Sequence, residues 1–88
     1  MSVFLAWTPA GFPDGLRGPW LEIRSAAPDL AVVESDASLS VVYHELKWSL
    51  PDETPLLVAP LAERPKLKGL RAGTTSWFRE RLPGPSSV

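Results

Sequence analysis

Residues 36–51 read DASLSVVYHELKWSLP, and two structural periods fit them. As a helix, Leu39, Val42, Tyr43, Leu46 and Leu50 recur at i, i+3, i+4, i+7 and i+11; Asp36 or Ser38 stands where a cap belongs, and Pro51 stops the helix. As a strand, Val42, His44, Leu46, Trp48 and Leu50 would oppose Val41, Tyr43, Glu45 and Lys47, in a run longer than most strands. The helix is the better fit, and this choice decides how the flanking segments are arranged.

Before it, SVFLAWTP (residues 2–9) is apolar on both alternating faces, as in a central strand covered on two sides. The loop TPAGFPDGLRGPW (8–20) follows. GPWLEIRSAAP (18–28) then has Gly18 at an N-cap, Pro19 at the first helical position and Trp20, Ile23 and Ala27 on one face, which predicts a helix ended by Pro28. DLAVVES (29–35) reads as a second two-faced strand. After the PDET turn (51–54), PLLVAPLA (55–62) reads as a third, with Pro60 confining it to an edge or ending it at Ala59. ERPKLKGLRAG (63–73) lacks a period and reads as a loop. Thr74 or Thr75 caps a last helix that turns Trp77 and Phe78 inward.

The expected fold is therefore a single α/β domain over residues 1–82, ordered β-α-β-α-β-α, with a disordered tail at 83–88. Right-handed crossovers favour a three-stranded, mainly parallel sheet of order 2-1-3 flanked by helices. The alternative is a two-layer ferredoxin-like α+β sheet, in which SLSVVY (38–43) supplies an antiparallel strand and one apolar face is left for a dimer to cover.

Eighty-eight residues, 44 % of them hydrophobic and 22 % charged, suit one small globular domain. Four Trp and three Phe are more aromatic surface than so small a core hides easily, which points to a partner. With no cysteine, disulfides and thiolate metal sites are excluded. No apolar run approaches the roughly 18 residues of a membrane span, and the expectation is a cytoplasmic, soluble protein with no cofactor. Charge is divided unevenly: residues 1–63 carry three Lys or Arg against nine acids (3 − 9 = −6), and residues 64–88 carry six against one (6 − 1 = +5). Such a division attracts an anionic partner to the tail, or the tail to the body, in the same chain or in a second copy.

In an open parallel sheet, ligands bind beyond the carboxyl ends of the strands, where Thr8, Asp14, Arg17, Glu34, Asp36, Ser38, Arg64, Lys66, Lys68 and Arg71 would share a rim. Gly15 and Arg17 with Lys66, Lys68 and Arg71 form the expected anion site. The glycine spacing G-x-x-x-G-x-x-G over 11–18 matches neither the dinucleotide nor the Walker pattern, and Pro-Asp-Gly at 13–15 already accounts for a turn. Glu34 and Asp36 are a weak pair for Mg²⁺. His44, the one histidine, has no nucleophile or base assignable to it and reads, with Trp20 and Trp48, as surface for an interface. The function these features favour is non-catalytic protein binding, with self-association. Phosphate-ligand or nucleic-acid binding through the basic 64–71 loop is the alternative, and a small enzyme using acids at the strand ends is the third.

Overall fold

The computed structural model describes residues 1–13 and 15–84. Its elements are β1 (Ser2–Trp7), β2 (Glu22–Ala27), β3 (Leu30–Ser35), α1 (Leu39–Trp48), β4 (Leu57–Leu61) and α2 (Thr74–Arg81). The four strands form one sheet of order β2-β3-β1-β4, and every neighbouring pair is antiparallel. The expected three-stranded, mainly parallel sheet is thus overturned, and the domain is a small α+β fold.

The largest difference lies in residues 19–27, expected as a helix; residues 22–27 are instead β2, and 19–21 belong to the loop before it. Pro28 does not end a helix; with Asp29 it forms the turn of a hairpin that sets Ile23 opposite Val33 and Arg24 opposite Val32. A proline that stops a helix also fixes the backbone of a turn, and so short a connection brings the partner strand next door at little entropic cost. Once β2 is a strand, the parallel relations survive only between next-nearest neighbours. β1 and β2 run the same way with β3 between them, and β3 and β4 run the same way with β1 between them, as in a split β-α-β unit. The ferredoxin-like alternative also needs correction, because its extra strand falls on residues that are helical and both sheet faces are covered.

Residues 39–48 are the helix that the 3.6-residue period favours. Ser38 Oγ accepts from the Val41 amide at 3.2 Å, Val42 and Leu46 are buried, and the helix ends three residues before Pro51. α1 packs on Phe4, Ala6 and Val33, and the 8–21 loop extends this layer with Phe12, Leu16 and Trp20. On the opposite face α2 sets Trp77, Phe78 and Leu82 against Val3, Ala26 and Val32, and the 62–73 segment adds Leu67 and Leu70. The three layers explain why β1 and β3 are apolar on both sides. Each fully buried side chain of this kind contributes roughly 1.5–3 kcal/mol.

Two backbone details position the loops. Gly11 has φ 74°, and a Cβ there would lie 2.4 Å from the Pro28 carbonyl oxygen, so only glycine lets the opening loop press against the hairpin turn. The Thr8 amide donates to the Asp29 carbonyl at 3.1 Å at the same junction. α2 begins at Gly73 (φ 90°) and has no side-chain cap, where Thr74 or Thr75 was expected to serve. β4 is one of the two edge strands, the other being β2, and it keeps Pro60 within it, as an edge position allows. The expected 83–88 tail falls mostly outside the described residues, which end at 84.

Candidate protein-binding surface

Attraction between the acidic body and the basic end is realised partly within the chain. Arg81 on α2 donates from Nη2 to Glu22 Oε2 at 2.8 Å and from Nε to Glu34 Oε1 at 2.9 Å, while its guanidinium carbon lies 4.2 Å from the centre of the Trp77 ring. Trp77 Nε1 donates to the same Glu22 oxygen at 2.5 Å. Arg64 is also engaged, donating to the carbonyls of Leu82 (2.8 Å) and Arg79 (3.0 Å) near the C-terminal end of α2.

The expected rim does not assemble. β1 and β3 are antiparallel, so Thr8 leaves one end of the sheet while Glu34, Asp36 and Ser38 follow the other. Gly15 and Arg17 belong to the loop packed on the α1 face, and Lys66, Lys68 and Arg71 to the segment packed on the α2 face, so the sheet separates the two halves of the expected anion site. Asp14 lies outside the described residues. Glu34 is bonded to Arg81 and Asp36 to the terminal amine at 3.3 Å, so the two do not act as a pair. Among the described residues no three His, Asp or Glu side chains gather where a metal ion would be held. Arg71 instead finds a neighbour that the sequence did not indicate. Its amide donates to the Ala26 carbonyl at 2.8 Å, and Arg24, on the same strand as Ala26, donates from Nη2 to the Ala72 carbonyl at 2.7 Å, so β2 is tied to the segment that leads into α2.

The three expected interface residues divide. Trp20 is half-buried in the α1-face core, and its Nε1 donates to Leu16 at 3.0 Å. His44 is exposed on the outer side of α1, with Nδ1 2.8 Å from the Ser40 carbonyl. A carbonyl oxygen only accepts, so Nδ1 is the donor in that contact. Its ring stands 5.2 Å from Tyr43 and 5.8 Å from Trp48 between centres. Trp48 is 69 % exposed.

Trp48 belongs to a larger apolar surface grouped round β4. On the α1 side, Tyr43, Trp48 and Leu56 wall a cleft whose rim carries Lys47, Asp52 and Glu53. The turn beneath it is closed by a 3.2 Å hydrogen bond from the Thr54 amide to the Pro51 carbonyl and holds Glu53 at φ 66°, a region that disfavours side chains. On the α2 side, Trp7 and Leu57 are cross-strand partners and are 37 % and 55 % exposed. Between these flanks runs the outer edge of β4, which pairs with β1 alone. Residues 55–62 contain no charged side chain. The sequence did not single out Trp7 and Leu57, because an apolar strand residue looks the same whether or not a helix covers it. Neither belongs to the α2-face cluster formed round Val3, Ala26 and Val32.

No helix of the described residues is long and apolar enough to cross a membrane. Compared with family models, with curated proteins and with solved structures, the chain matches none.

Proposed function

We propose that this domain is a non-catalytic protein-binding module whose contact surface is the apolar zone round β4. The observation that carries the reading is the uncharged outer edge of β4, unpaired among the described residues and flanked by exposed Leu57 on the α2 face and by the Trp48 cleft on the α1 face. Large aromatic side chains left in water beside open backbone donors and acceptors are the usual material of an interface core. The test places a photoreactive phenylalanine analogue at Trp48 or at Leu57 in the source cell, with Arg79, exposed on α2, as the control site. Crosslinks to a polypeptide of defined mass from both β4-side positions and none from Arg79 support the reading. Their absence from both rejects it.

A second reading, binding of a phosphate-bearing ligand or nucleic acid by the basic 64–71 stretch, draws on one observation: the Arg24 guanidinium reaches the Ala72 carbonyl just before the start of α2, which has no side-chain cap, and Arg71 precedes it in the chain. A helix start favours anions, and exposed Lys66 and Lys68 lie nearby in sequence. Its test is the amide spectrum of Thr75 and Ser76 during titration with inorganic phosphate or single-stranded nucleic acid at low salt. Shifts abolished by Arg71→Ala support it, and an unchanged spectrum rejects it.

A further inference from the structure

We infer that the occupant of the β4 edge is a second copy of this chain, paired antiparallel about a two-fold axis at Leu57, so that the two four-stranded sheets become one. The inference rests on the protein-binding reading and names its partner.

Pro60 fixes which backbone groups are available. Having no N–H, it sits in an edge strand with its nitrogen turned away from the neighbouring strand. Lateral direction alternates along a strand, so Val58 also turns its N–H and C=O groups outward, and an extended path carried one residue ahead of β4 turns those of Leu56 the same way. Among the described residues neither has a hydrogen-bond partner on that side. Strand edges are ordinarily guarded by charges or prolines, and here Pro60 guards only the C-terminal half.

One register satisfies this edge with its own copy. Centred on Leu57, it lets Leu56 and Val58 of each chain exchange both hydrogen bonds with Val58 and Leu56 of the other, and it leaves Pro60 outside the pairs that must donate. Leu57 then meets Leu57 of the second copy on the α2 face, in a non-hydrogen-bonded pair where side chains approach most closely. The same antiparallel arrangement brings the Asp52–Glu53 turn before one β4 toward residues 63–66 after the other, where Arg64 and Lys66 outnumber Glu63. Opposite charges thus meet across the axis, in keeping with the −6 and +5 halves of the chain. A two-fold interface of this kind is closed and does not propagate.

Sedimentation equilibrium of the full chain, from about 1 μM to 1 mM, reads the association directly. The expected species is twice 9.6 kDa, and Leu57→Lys is expected to raise the dimer dissociation constant at least tenfold while leaving the circular dichroism unchanged. The register is read separately with Leu57→Cys, in a chain that has no other cysteine. Mild oxidation is expected to crosslink it, because the paired Cα atoms lie about 4.5–5.5 Å apart. Ala59→Cys is expected to stay uncrosslinked, its copies being about 13 Å apart along the strand. A wild-type monomer at 1 mM, a dimer indifferent to Leu57→Lys, or crosslinking of Ala59→Cys in place of Leu57→Cys overturns the proposal. A monomer that still gives photocrosslinks to another protein overturns the second copy and spares the protein-binding reading; a monomer without them overturns both.

Discussion

Arg81 and Glu34 lie 47 residues apart in sequence, and a 2.9 Å hydrogen bond from Nε to Oε1 joins α2 to the centre of the sheet. Glu34 is largely buried, its side chain 16 % exposed, and Glu22 shares the same guanidinium. The cluster holds the one helix that covers the α2 face. Replacement of Arg81 by Met keeps most of the contact with Trp77 and strands the Glu34 carboxylate, while Glu22, 44 % exposed, keeps its bond from Trp77. The expected loss is about 2 kcal/mol, from the cost of unpairing charged hydrogen-bonding groups. Urea unfolding measures it; a change below about 0.5 kcal/mol, the size of an ordinary surface substitution, shows that α2 is held by Trp77, Phe78 and Leu82 alone.

The two helices separate core from surface sharply. Leu46 on α1 is fully buried, and Leu46→Ala is expected to cost about 2–5 kcal/mol. Trp48→Ala, two residues away, is expected to change monomer stability by less than about 0.5 kcal/mol despite removing a far larger side chain. Thermal and urea midpoints of the two variants test the contrast, and comparable losses would mean that Trp48 packs against the body in solution.

Thr8 Oγ1 is buried and has no hydrogen-bond partner among the described residues. Valine has nearly the same shape without the hydroxyl. Thr8→Val therefore removes an uncompensated desolvation and is expected to stabilise the fold by about 1 kcal/mol. A midpoint that falls instead would reveal that the hydroxyl is bonded in solution.

Glu53 occupies a left-handed conformation at the cleft rim, and Gly11 occupies one where its carbonyl neighbour leaves no space for a side chain. The two positions respond oppositely. Glu53→Gly relieves about 1 kcal/mol of backbone strain, set against a smaller gain in unfolded-chain entropy, for a net rise of a few tenths. Gly11→Ala adds strain and a contact with the Pro28 oxygen, for a loss of at least about 1 kcal/mol. Chemical denaturation of both variants gives the two signs, and equal signs contradict the account.

What the sequence determined by itself was the local structure. A helix hydrogen-bonds to its own chain four residues back, so the period of Leu39, Val42 and Leu46, the Ser38 cap and the inward Trp77 and Phe78 were legible in order along the chain. Pro60 likewise announced an edge, because its missing donor is a property of the residue. Tertiary structure decided the rest. Residues 22–27 became a strand because the Pro28–Asp29 turn delivers β3 beside them, and strand pairing depends on a partner that no local period reveals. Strand direction then decided which loops share an end and which face each covers. That is why Arg17 and Lys66 stand on opposite sides of the sheet, why Arg24 reaches the Ala72 carbonyl ahead of α2, and why Leu57 is left exposed beside the open edge of β4.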